Sequence, residues 1–103
     1  MTNEEIREQV FARIHAERER QVSEEGWTPE HDDKHGHGDL TKAAIGYAAY
    51  SVGWNNKVVV PGGWPWDKSW WKPSTPDRDL EKAAALLVAE MERRARAGEN
   101  TGE

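Results

Sequence analysis

Near the start of the chain apolar residues recur every four positions, at Ile6, Val10 and Ile14, and Phe11 widens the stripe. This spacing predicts an amphipathic helix from about residue 3 to about residue 25. Thr2 or Asn3 can cap it, Glu4 and Glu5 fall in the first turn where the macrodipole favours acid, and Gly26 ends it. Beyond Ile14 the stripe fades into AERERQ, where only Val22 is clearly apolar. That half is either a solvated face or one where Arg18 and Gln21 point at polar partners. A polar loop, WTPEHDDKHGHG, follows. Leu40, Ala43, Ala44, Tyr47 and Ala48 then form the inner face of a second helix, about residues 39–52, with Asp39 as its expected cap and Gly53 as its end. The last helix, about residues 76–97, carries the stripe Leu80, Ala83, Ala84, Leu87, Val88 and Met91. Thr75 caps it with Pro76 at the first position, or Asp77 does. Glu90 with Arg94 and Glu92 with Arg96 are acid-before-base pairs four apart on its expected outer side.

Between the second and third helices the pattern loses its period. Val58, Val59 and Val60 allow one short strand, and Pro61-Gly62-Gly63 stops it. WPWDKSWWKP follows, with Pro65 and Pro73 barring regular ladders. The expected architecture is therefore mainly α: a three-helix single domain over residues 1–98 with an irregular Trp-rich insertion, and a disordered tail over 99–103. Aliphatic residues are too few to fill such a core, so tryptophans are expected to plug part of it.

Composition narrows the classes. The chain has 103 residues, enough for one small core, and self-association is an expected source of extra stability. A net charge of -5 argues against a protein that coats nucleic acid, which needs a basic face to displace counterions. With no cysteine, thiolate chemistry and disulfides are excluded. MTNEEIREQV lacks the basic and apolar regions of a signal peptide, and no apolar run approaches a membrane span, so a cytoplasmic location is expected.

Three segments carry candidate chemistry. His31, Asp32, Asp33 and His35 bring imidazoles and carboxylates close together, the donor types of a divalent metal site. Their spacing matches no standard metal motif, and His31 and His35 share a face only if the loop is helical. The competing readings are a turn whose acids cap the second helix, or acids that pair with Arg18 or Arg20 and hold the loop against the first helix. In WPWDKSWWKP, Trp64, Trp66, Trp70 and Trp71 lie beside Lys72 and Arg78. Indoles beside cations suit a stacked base with a clamped phosphate; the alternatives are anchors for a protein partner, or core filling. In AERERQ, Arg18 can clamp an anion with Gln21 at its edge, whereas Arg20 reads as part of a solvated face.

Catalytic patterns are weak. All-helical nucleotide pyrophosphatases hold magnesium with paired acids on two facing helices, and neither Glu4, Glu5 and Glu8 nor Glu81, Glu90 and Glu92 reproduces that pattern. No nucleophile elbow or phosphate loop is present.

AERERQ, EEGWTPEHDDKH, GDLTKAAIGYA, WPWDKSWWKP and RDLEKAAALLVAEMER together cover most of the chain. With these segments the sequence resembles a family of small accessory proteins encoded by tailed phages and by prophages of proteobacteria. The resemblance implies a phage accessory protein in the cytoplasm of an infected host and carries no catalytic assignment. The combined expectation is a homo-oligomer that binds a small nucleotide-like anion without turning it over and sequesters a host immune signal, with no cofactor. Its alternatives are a protein-binding inhibitor of a host defence or replication complex, and a metal-dependent hydrolase using the His31–His35 segment.

Overall fold

A computed structural model describes residues 1–54 and 64–98. The Val58–Val60 run and the tail 99–103 lie outside the described residues. Among the described residues there are four helices, α1 (Asn3–Ser23), α2 (Pro29–Asp32), α3 (Asp39–Ser51) and α4 (Pro76–Arg96), with a 3₁₀ turn at Lys68–Trp70. Among the described residues there is no strand, and no helix is long and apolar enough to cross a membrane. The domain is mainly α.

Local chemistry explains the helix ends. Thr2 and Glu5 form a reciprocal capping box, with Thr2 N–H donating to Glu5 Oε1 at 2.9 Å and Glu5 N–H to Thr2 Oγ1 at 3.1 Å. Thr75 caps α4 by accepting from Arg78 N–H, with Pro76 at the first position. At the end of α1, Gly26 takes φ +73°, and the chain folds back so that Trp27 N–H reaches the Gln21 carbonyl at 2.9 Å. Asp39 does not cap α3. That place belongs to Gly38 at φ +82°, and the Asp39 carboxylate turns instead to His35. The loop after Trp27 contains a helical turn the polar composition did not predict: Thr28 caps it and Pro29 starts it.

α4 is the hub; α3, α1 and α2 each pack against it. The core joins Leu40, Ala43, Ala44 and Tyr47 of α3 to Ala83, Leu86 and Ala89 of α4, and Trp27 closes it from the loop. Trp64, Trp66 and Trp71 pack against this centre while remaining partly exposed. Gly46 and Ala49 of α3 are buried, whereas Ala48 is exposed.

Two apolar stripes enter this core only in part. In α1, Ile6, Val10 and Phe11 are exposed, and the buried residues are Glu17, Arg18 and Gln21 further along the same face. In α4, the face turned inward carries Ala83, Ala85, Leu86 and Ala89, leaving Leu80, Leu87 and Met91 exposed at 50%, 45% and 58%. Glu90 pairs with Arg93 in a buried ion pair rather than with Arg94, and Glu92 and Arg96 serve other partners.

Candidate functional site

The polar half of α1 is held by ion pairs. Arg18, almost fully buried, donates Nη2–H to Asp32 at 2.7 Å, Nε–H to Glu92 at 2.9 Å and Nη1–H to the Trp27 carbonyl at 3.3 Å. One guanidinium thereby ties α1 to α2, to α4 and to the loop that starts at Trp27. Of the readings for the acidic loop, pairing with Arg18 is the one seen for Asp32; Asp33 pairs with Arg96 at 2.9 Å.

Glu17 is the other node. It accepts two hydrogen bonds from Arg20, at 2.9 and 2.8 Å, and one from Arg78 at 2.6 Å. Burial pushes its carboxyl upward, but the two guanidinium groups outweigh that and hold it below the ordinary carboxylate value. Arg78 also binds Glu81, which meets Arg13, and Arg20 binds Glu25, which meets Lys72. The resulting chain runs Arg13, Glu81, Arg78, Glu17, Arg20, Glu25, Lys72. Glu25 is likewise lowered: burial opposes the shift, and hydrogen bonds from Arg20 and Lys72 prevail. Arg20 is therefore part of this network rather than of a solvated face. The guanidinium groups of Arg18 and Arg78 and the Lys72 ammonium, expected as an anion clamp, each face carboxylates of the chain.

Gln21 is buried, and its Nε2 donates weakly to the Lys82 carbonyl at 3.5 Å. Its Oε1 has no partner among the described residues. Beside it, between Glu17, Glu25, Tyr47 and Lys82, lies a space of about 10 Å³, close to the volume one water needs. Burial, followed by the nearby Arg78 charge, lowers the Lys82 ammonium below its ordinary value.

The aromatic rings sort into two groups. Around Tyr47, Trp71 stacks at 4.7 Å and Trp64 meets the ring edge-on at 5.6 Å. The Tyr47 hydroxyl donates to the Trp70 carbonyl and accepts from Lys72 N–H, and burial raises its pKa. This group locks the Trp-rich segment onto α3. The second group opens to solvent. Trp27, His31 and His35 stand four residues apart, and the turn of α2 lays their rings in a row: Trp27 parallel to His31 at 6.2 Å and 7°, and His31 beside His35 at 4.6 Å. Trp66 and Trp70 approach from the other side, 5.3 and 6.3 Å from Trp27. With Asp67 these five rings line a cleft of about 250 Å³.

Hydrogen bonds fix the walls. His31 Nδ1 lies 3.1 Å from Asp32 Oδ1, so the buried carboxylate that holds Arg18 also orients this imidazole. His35 Nδ1 lies 3.3 Å from the Trp66 indole N–H and 3.1 Å from Asp39 Oδ2. One ring nitrogen either accepts from the indole or donates to the carboxylate, so the tautomer decides which bond is made. Trp64 Nε1–H donates to the Asp67 carbonyl and Asp67 Oδ1 accepts from Ser69 N–H, which shapes the turn carrying Trp66 and Trp70.

Of the residues expected at a ligand site, the structure brings Trp66 and Trp70 into the cleft. Trp64 and Trp71 belong to the Tyr47 group, while Arg18, Gln21, Lys72 and Arg78 lie in the ion-paired layer. Of the metal candidates, His31 and His35 line the cleft as rings, whereas Asp32 and Asp33 face arginines. Among the described residues no three His, Asp or Glu side chains converge as a metal site. Trp27 and Asp67 were missed, although the four-residue recurrence of Trp27, His31 and His35 was legible once the loop is read as helical. Comparison with protein-family models, curated proteins and solved structures found no match for the chain.

Proposed function

We propose that the protein is a non-catalytic binding module that holds the planar base of a nucleotide-like ligand in the Trp27–His31–His35–Trp66–Trp70 cleft. The carrying observation is that open row of rings, three indoles and two imidazoles around about 250 Å³. This volume falls below the ~300–1,000 Å³ of pockets that enclose a drug-sized molecule, so it suits one ring system with the rest of the ligand outside. The rings supply stacking, ~1–3 kcal/mol per base. The anionic part lies outside the rings, where the Lys72 ammonium stands 5.4 Å over the face of Trp70. Together with the resemblance to phage accessory proteins, this reading makes the protein a sponge for a host immune signalling nucleotide.

The test is titration of the full chain with adenine and uracil mononucleotides and with cyclic dinucleotides, followed by tryptophan fluorescence and calorimetry. One class is expected to quench fluorescence and to be recovered chemically unchanged. Trp70→Ala, at an exposed ring, is expected to weaken that binding by ~1–3 kcal/mol while circular dichroism stays constant. Absence of binding by every nucleotide overturns the reading, and recovery of hydrolysed product returns the question to a hydrolase. The second reading, an inhibitor docking on a host protein, is favoured by the exposed Trp54, Val52 and Tyr50 at the end of α3. It predicts a stable complex with a host protein and no nucleotide response.

A further inference from the structure

The outer face of α4 is a second complete amphipathic stripe. Leu80, Ala84, Leu87, Val88, Met91 and Ala95 recur at helical spacing over about four turns. None is among the buried residues of the helix. The contrast is sharp between neighbours: Leu86 is 0% exposed and Leu87 45%. At its N-terminal end the stripe adjoins the bare half of α1, where Arg13 reaches Glu81 at 3.1 Å and Ile6, Val10 and Phe11 extend beyond. A helix that serves only to cover one core has no use for apolar residues here. The core itself is thin, since four of its eight residues are alanine, and small domains commonly gain stability by association.

We infer that α4 pairs antiparallel with α4 of a second copy of this chain, across a two-fold axis near the middle of the stripe. The occupant is indicated by shape and charge. Antiparallel pairing sets Leu80 opposite Met91 of the second copy at the flanks and, nearer the axis, small Ala84 opposite its large Leu87. The same register brings the acidic first turn, at Asp77, to the basic last turn, at Arg94. Each copy thus supplies both halves of the charge match, as an isologous interface requires, and the helix dipoles oppose favourably. Parallel pairing instead stacks acid on acid and base on base.

Sedimentation equilibrium of the full chain tests this. The wild type is expected at dimer mass. Leu87→Glu and Met91→Glu, both at sites exposed in one copy, are expected to raise the dimer Kd at least about tenfold with unchanged circular dichroism, 1.4 kcal/mol per decade. Ile45→Glu, at an exposed position on α3, is the control expected to leave it intact. Asp77→Arg or Arg94→Glu alone is expected to weaken the dimer, and the two together to restore it. A wild type that sediments as a monomer throughout, or a dimer indifferent to Leu87→Glu and Met91→Glu, overturns the interface. Failure of the double charge swap to restore association overturns the antiparallel register.

Discussion

Arg18 and Asp32 meet at 2.7 Å with the Asp32 side chain fully buried, and this one contact positions the aromatic row. Asp32 orients His31 through its other oxygen, and Arg18 holds the Trp27 carbonyl, so two of the five cleft rings depend on the pair. Arg18 uses three separate N–H groups on three partners, which an ammonium on a flexible stem cannot reproduce in the same geometry. Arg18→Lys is expected to keep the charge yet loosen Trp27, read as a loss of near-ultraviolet dichroism with helix content retained.

Asp32→Ala removes the buried one of Arg18's two carboxylate partners and leaves only the half-exposed Glu92, so it is expected to cost up to about 3–5 kcal/mol, the range for breaking a buried pair. Urea denaturation is the check. Exchanging both partners for apolar residues, Arg18→Met with Asp32→Leu, is expected to recover much of that loss, because neither desolvated charge remains. Additive losses in the double variant refute the pairing as the source.

The tautomer of His35 gives a second handle on the cleft. Trp66→Phe keeps an aromatic wall but deletes the N–H that competes for His35 Nδ1, so the bond to Asp39 becomes the one made. Nitrogen NMR of the imidazoles is expected to show Nδ1 protonated in the variant. The stability cost is expected near ~1 kcal/mol, the usual net worth of one hydrogen bond.

Most helix ends were legible in the sequence because their causes are local: Thr2 or Asn3 ahead of α1, Thr75 before Pro76, and glycines where φ is positive, whereas the α3 cap fell to Gly38 and not to Asp39. Apolar period was legible too, but period reports that a face is apolar and says nothing of what covers it. Ile6 and Val10 therefore looked like core and are bare, while Glu17 and Arg18 are buried, and of the two readings open for that half of α1 the one with Arg18 and Gln21 turned to polar partners is the one seen. Their burial is possible only because Arg78 and Glu92 arrive from residues 61 and 74 positions away. Contacts that distant leave no mark on spacing. The same blindness made Arg18 and Arg78 read as free cations for a ligand.

The two faces of α4 make unequal demands on folding. Leu86→Ala empties a fully enclosed site and is expected to cost about 2–5 kcal/mol. Leu80→Ala, at a half-exposed position, is expected to cost well under half as much in dilute protein. Thermal melts at low and high concentration separate fold from association: the Leu86 loss is expected to be equal at both, and the Leu80 loss to grow with concentration.

Acid stability should follow Glu17. Its folded value lies below the ordinary 4.5 because Arg20 and Arg78 bond the ionised form more strongly than burial disfavours it. A lowered folded value means that the fold binds the deprotonated carboxylate in preference, so this contribution is fully present above pH 4.5. It is lost as pH falls below 4.5 and through the lower folded value, where the native state must also take up a proton. Glu25 is lowered for the same reason and adds to the slope. Glu17→Gln keeps the shape and removes the titration. The variant is expected to be less stable at neutral pH, where the two guanidinium groups lose their charged partner, and to show a flatter decline on acidification. Urea midpoints measured from neutral pH down through the carboxylate range are the check. Parallel curves for wild type and Glu17→Gln would mean that this node is not what holds the polar half of α1 to α4.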